Sequence, residues 1–194
     1  MPNLNLDEKT HIYTLDNKRL ISVTQALAIL NDRWKVDPFY LERGSLIDLA
    51  CEYYDIGELD EDSVDPQIKG YFEGYKKFII ETKFKVVYPK PREGQIKLYH
   101  PEYFYAGKPD VIGILNGDLD LIDRKSGAKA IVNQLQGAAY WELCRVNNIP
   151  IKKVFDLYLK DDGNYSLVEV ENPKLLLRIF LAALTLTRFK EEIS

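Results

Sequence analysis

The sequence predicts an α/β domain built around a central mixed β-sheet flanked by helices, with an N-terminal hairpin and helices ahead of it. Three observations carry that prediction. Apolar residues recur at helical spacing between Ser22 and Lys83, and the period changes to two from Phe84 onward. One helical segment then interrupts the strands and another closes the chain. The 194 residues are enough for one domain with a substantial core, and 46% hydrophobic with 29% charged residues is ordinary globular usage. The whole chain, 1–194, is read as a single domain, its hairpin and helices over 1–82 and its core over about 83–194.

Taken in order, "HIYTLDNKRLISVT" predicts two strands turning at Asp16-Asn17. "SVTQALAILND" predicts a short helix capped by Ser or Thr. "DPFYLERGSLIDLACEYYDIG" predicts a second helix, with Asp37 as cap, Pro38 at the first helical position and Gly57 as the stop. "DPQIKGYFEGYKKFIIETK" repeats that Asp-Pro start at Asp65-Pro66, after an acidic solvated loop, "GELDEDSVDP". "FKVVYP" and "QIKLYHP" are read as strands, followed by a hairpin in "AGKPDVIGILNGDLDLIDRKSG". The helix "AKAIVNQLQGAAYWELCRVNN" carries Val132, Leu135, Ala139, Leu143 and Val146 on one apolar stripe. "KKVFDLYLKDDGNYSLVEVE" is a hairpin turned by "DDGN", and a last helix opens with Asn172 as cap and Pro173.

No run of about 18 apolar residues spans a membrane, and the N-terminus lacks the basic and apolar regions of a signal peptide. Two cysteines, Cys51 and Cys144, are too few for a four-cysteine zinc or iron–sulfur site, and both sit in apolar helical patterns as buried thiols. Reduced, intracellular and soluble is the resulting picture. The net charge of −4 argues against a protein that coats nucleic acid without specificity, but not against one that grips phosphates locally. Lys83, Lys85, Lys90, Arg92 and Lys97 precede the long hairpin, and Lys108, Arg124, Lys125 and Lys129 surround it. Such a patch fits phosphates and equally fits lysines that protect a sheet edge. Tyr99, Tyr103, Phe104 and Tyr105 fit base stacking or strand packing alike.

The long hairpin carries the chemistry. A two-residue type I′ turn at Asn116-Gly117 sets Leu115 against Asp118 and hence Asp110 against Asp123. Asp110, Ile112 and Ile114 then share a face with Leu119, Leu121, Asp123 and Lys125. Directly opposed carboxylates are destabilising, more so away from water, unless a proton or a cation sits between them. A divalent cation such as Mg²⁺ resolves that conflict, and Lys125 stands beside it to orient a water or neutralise a phosphate. A surface hairpin, with its acids in water and Lys125 paired to Asp123, is the alternative.

Pro109-Asp110 with Asp123-Arg124-Lys125 resembles the Asp…(Asp/Glu)-x-Lys signature of the PD-(D/E)XK nuclease superfamily. "QGAAY" on the next helix resembles the Gln-x-x-x-Tyr motif of its RecB-like and phage-type exonuclease branch, through Gln136 and Tyr140. Upstream, Arg43, Gly44, Ser45 and Glu52 match a third motif of that branch, with Asp48 where relatives carry a histidine and Gln95 where they often carry a glutamate. The resemblance implies a restriction-endonuclease-like core and an enzyme, a Mg²⁺- or Mn²⁺-dependent DNA exonuclease. Asp48, Asp110, Asp123 and the Arg124 main-chain carbonyl would hold the metal. Lys125 would position the attacking water, while Gln136 and Tyr140 would contact DNA or support Lys125, with Glu52 and Arg43 in supporting places. By analogy it also implies a role in phage-type recombination, replication or repair, in the cytoplasm of a bacterial or phage-infected cell. A homo-oligomer and a single-strand annealing or binding partner belong to the same analogy. A structure-selective or restriction-like endonuclease on the same core, or a catalytically silent DNA-binding module, are the alternatives.

Overall fold

The computed structural model describes residues 3–7, 10–30, 37–90 and 95–193. Among the described residues, two mixed five-stranded sheets and five α-helices make up the fold. The first sheet contains β1 (Leu4–Asp7), β2 (Ile12–Leu15), β3 (Lys18–Ser22), β5 (Leu98–Tyr99) and β6 (Tyr105–Gly107), in the order β1-β2-β3-β6-β5. The second contains β4 (Lys85–Tyr88), β7 (Val111–Leu115), β8 (Asp118–Lys125), β9 (Val154–Leu159) and β10 (Tyr165–Glu169), in the order β10-β9-β8-β7-β4. The helices are α1 (Val23–Leu27), α2 (Pro38–Asp55), α3 (Lys69–Thr82), α4 (Ile131–Val146) and α5 (Pro173–Glu192). Each sheet has a single parallel pair, β3 with β6 and β8 with β9.

Local chemistry explains most of these boundaries. Ser22 and Gln25 form a reciprocal capping box at the start of α1, which tightens into a 3₁₀ turn at Ala28–Leu30. The rest of that predicted helix, Asn31 and Asp32, lies outside the described residues. Asp37 accepts from Phe39 N, Pro38 takes the first helical position, and Gly57 follows α2 with φ of 73°.

Two predicted caps fail. Asp65 accepts from Gln67 N at 2.7 Å, as Asp37 does from Phe39 N, but residues 66–68 form a separate turn and α3 starts at Lys69 rather than at Asp65-Pro66. Asn172 occupies the cap position of α5 in a left-handed conformation, φ 51°, and its side chain caps nothing.

The second sheet is covered on both faces. Ile112, Leu121 and Val154 pack with Leu135, Ala139 and Leu143 of α4 and Phe180 and Leu184 of α5. The opposite face, through Val111, Ile122 and Leu157, packs with Ile47 and Cys51 of α2 and Phe72, Tyr75 and Phe78 of α3. Burying each such large apolar side chain contributes roughly 1.5–3 kcal/mol. Cys51 and Cys144 are buried free thiols in these two cores. Among the described residues no helix is long and apolar enough to cross a membrane.

Candidate active site

The β7–β8 hairpin turns at Asn116 (φ 51°) and Gly117 (φ 91°), the paired positive angles of a type I′ turn. Its register runs from Leu115↔Asp118 to Val111↔Ile122, as the turn dictates. The ladder stops at Val111, and Asp110 lies one residue beyond it. Asp110 Oδ2 accepts from Arg124 N at 2.8 Å, which holds that carboxylate against β8 beside Asp123.

Alternation along β8 sends its last three residues, all charged, to different layers. Asp123 and Lys125 face α4, while Arg124 faces α2 and α3. Lys125 Nζ lies 2.5 Å from Asp123 Oδ2 and donates to Gln136 Oε1 at 3.2 Å. Gln136 Nε2 in turn donates to the Tyr140 hydroxyl at 3.2 Å, one turn further along α4. Gly107 makes room for that ring: a Cβ there would stand 2.6 Å from Tyr140 Cε1.

On the other layer, Arg124 donates from Nη1 to Asp55 Oδ2 at 3.0 Å, while Tyr75 donates its hydroxyl to Asp55 Oδ1 at 2.7 Å. Its guanidinium lies 5.2 Å from the Tyr75 ring centroid, and its Nε is 3.8 Å from Asp48 Oδ1. Glu52 accepts from Gln95 N at 3.3 Å, and Gln95 Nε2 donates to the Asp110 main-chain carbonyl at 3.2 Å. Gln95 thus ties α2 to the hairpin. Arg43 lies over Tyr40 and Tyr71, 5.0 and 4.9 Å from their ring centroids.

All of the sequence-predicted site residues line one cleft of about 1110 Å³: Arg43, Asp48, Glu52, Asp110, Asp123, Arg124, Lys125, Gln136 and Tyr140. Its charges are strongly perturbed. Burial, with Asp110 and Asp156 adding repulsion, raises the Asp123 carboxyl well above its ordinary value despite Lys125. For Lys125 burial acts downward, but Asp123 and Asp110 outweigh it and the ammonium is held more tightly. Asp48 is pushed up to about 7 by desolvation and then by Asp110, against Arg124, Lys125 and Lys108. Half of the Asp48 side chain is open to solvent, and water in the cleft tempers that shift. Asp55 is pushed up to about 6 by burial, against the charge of Arg124 and the Tyr75 hydrogen bond.

Asp156 belongs to the same cluster and was not singled out from the sequence. It is fully buried, paired in register with Asp123, and accepts from Gln134 Nε2 at 2.7 Å and the Tyr158 hydroxyl at 3.2 Å. The signal was available: "VFDLYL" sets an acid between Val154 and Tyr158 on a core-facing strand side.

Asp123 Oδ1 and Asp156 Oδ1 are buried with no hydrogen-bond partner, and such oxygens suit a hard cation or a proton. Among the described residues, no three His, Cys, Asp or Glu side chains are drawn together as a metal-holding cluster. The oxygen chemistry fits a divalent ion near Asp123, with Asp110 and Asp156 as the neighbouring carboxylates and Asp48 on α2 across the cleft.

The basic patch is smaller than the sequence suggested. Arg124 is buried and paired with Asp55, because its strand position points it into the α2–α3 core. Arg92 lies outside the described residues, whereas Lys83, Lys85, Lys90, Lys97 and Lys129 are exposed and Lys108 lines the cleft. Tyr105 is core rather than surface, donating its hydroxyl to the Ala139 carbonyl at 3.1 Å, while Tyr103 and Phe104 are exposed.

No protein-family model matches the chain, and comparison with curated proteins finds no match. Among solved structures, the chain is similar to SSO0001 at 15% identity and a TM-score of 0.43, over 86% of this chain and 75% of that one. It is also similar to an alkaline exonuclease (LHK-Exo) from Laribacter hongkongensis at 14% identity and a TM-score of 0.42, over 90% of this chain and 95% of that one. Similarity at this level carries no inference about activity.

Proposed function

We propose that the cleft hydrolyses phosphodiester bonds in DNA as a metal-dependent nuclease, and that it acts from strand ends. The observation that carries this reading is the convergence of Asp110, Asp123 and Lys125 at the open end of one hairpin, with a buried carboxylate oxygen left unpaired. The motif resemblance through Gln136 and Tyr140 supports the choice of DNA and of exonuclease action. Asp110 and Asp123 would hold Mg²⁺ or Mn²⁺, with Asp48 and the Arg124 main-chain carbonyl as further oxygens. When bound, the ion supplies charge for the phosphate oxygens and an acidified water.

The remaining steps belong to the chain's own side chains. Lys125, kept protonated by Asp123 and Asp110, orients the attacking water and offsets charge building on the phosphate. Gln136 fixes the Lys125 ammonium from one side, and Tyr140 fixes Gln136. Lys108, at the cleft wall, meets the neighbouring phosphate.

The test is incubation with linear and covalently closed circular duplex DNA, with Mg²⁺, Mn²⁺ or chelator, beside Asp123→Ala and Lys125→Ala. Metal-dependent loss of linear DNA alone, abolished in both variants, is the expected result. Equal cutting of circles would replace end-dependent action by endonuclease action, and binding without cutting under either metal would leave a DNA-binding module.

A further inference from the structure

Helix α5 is apolar on two opposite sides, although only one packs on the protein. Phe180, Ala183 and Leu184 point into the core, against α4 and α1. On the far side Leu175, Ile179, Leu186, Phe189 and, at the C-cap just past the helix, Ile193 are each 46–68% exposed, with Ala182 exposed between them. A helix that is hydrophobic all round is normally buried all round.

The outer residues follow one another at spacings of four, three, four, three and four, the a/d pattern of a coiled coil sustained over the helix. The pattern is also self-complementary. About a two-fold axis at Leu184, Leu175 meets Ile193 of a second copy, Ile179 meets Phe189, and Ala182 meets Leu186. Every layer then joins an a position to a d position, with the small Ala182 opposite a large leucine. The flanking g positions are Arg178, Thr185 and Glu192, so the antiparallel arrangement sets Arg178 near Glu192 of the other copy, twice over. A parallel pairing would set Arg178 beside Ala183 and Thr185 beside Lys190, with no opposite charges.

We propose that α5 is a dimerisation helix, pairing antiparallel with α5 of a second copy of this chain through Leu175, Ile179, Ala182, Leu186, Phe189 and Ile193. Half-open side chains of this size leave roughly 100 Å² each, so the two copies together cover on the order of 1,000 Å², the lower bound for a specific interface. A micromolar dimer is the expected strength.

Sedimentation equilibrium from about 1 to about 100 µM tests this. The expected result is a reversible shift from one to two monomer masses. Ile179→Glu with Leu186→Glu, both at exposed positions, yields a monomer throughout with an unchanged far-UV CD spectrum. Arg178→Glu alone weakens the dimer about tenfold, and Arg178→Glu combined with Glu192→Arg restores it. A monomer across the whole range, an assembly larger than a dimer, or a dimer indifferent to the glutamate pair would overturn the proposal. Failure of the charge swap to restore association would overturn the antiparallel register.

Discussion

Replacing Asp55 by alanine is expected to be strongly destabilising, because it leaves the buried Arg124 charge without its partner. The Arg124 side chain is 0% exposed and that of Asp55 is 1% exposed. The Nη1–Oδ2 bond at 3.0 Å is the hydrogen bond that satisfies the guanidinium; Nε and Nη2 have none. Asp48, 3.8 Å from Nε and half-exposed, is a poor substitute. Breaking a buried pair by removing one partner costs about 3–5 kcal/mol, and here the Tyr75 hydroxyl is orphaned as well. With a urea m-value of about 2 kcal/mol per molar for a chain of this size, the midpoint falls by about 2 M. Trp141 fluorescence at pH 8, where the Asp55 carboxyl is ionised, reads the transition. Asp55→Leu with Arg124→Met removes both charges and is expected to recover most of the loss. A cost below about 1 kcal/mol for Asp55→Ala would refute the reasoning, since it would mean that Arg124 is solvated or paired elsewhere.

Other consequences follow from single contacts. Gly107→Ala drives a Cβ to 2.6 Å from Tyr140 and 3.1 Å from Leu143, so overpacking of about 1–3 kcal/mol is expected in thermal unfolding. Tyr140→Phe removes the acceptor of Gln136 Nε2 and is expected to cost about 1 kcal/mol by urea titration, with Lys125 less firmly held. His100 Nδ1 accepts from the main-chain N–H groups of Glu102 and Tyr103, which fixes a neutral ring, and burial lowers its pKa despite Glu142. The unfolded chain therefore takes up the proton first, and stability is lost as pH falls below about 6.5 toward the lower folded value. His100→Asn keeps an acceptor without the titration and is expected to remove this contribution to the pH dependence of the urea midpoint between about pH 7 and pH 5, leaving the opposite trend of Asp48 and Asp55. An unchanged slope in that variant would count against the assignment.

The parts of this fold written in local chemistry were legible in the sequence. Asn116-Gly117 admits one turn type, and the turn type fixes which residues face each other, so the Asp110–Asp123 neighbourhood followed from two residues. Asp37-Pro38 and Asp65-Pro66 make the same side-chain contact two residues on, yet only the first opens a helix directly, so the dipeptide alone does not fix a helix start. The strands β1 and β6, four and three residues long, carry no usable period, and β6 exists because β3 and β5 flank it. Arg124 looked like a surface cation because its counter-ion, Asp55, is 69 residues away on another element. Asp48 and Glu52 entered only through resemblance, since helical spacing alone does not distinguish a cleft wall from a wet surface. Asp156 was overlooked although the rule that found Asp123 applies to it unchanged.

The alternation in Asp123-Arg124-Lys125 gives β8 something like a reading frame. Substitutions along the strand change one side chain, but a one-residue insertion or deletion between Gly117 and Asp123 would move every later residue to the opposite face. It would turn the Arg124 side chain toward α4 and drive Asp123 and Lys125 into the aromatic layer around Tyr75. A change in length is therefore of a different order from a substitution, and a variant chain with one residue more or fewer in this strand would lose its site and its core together.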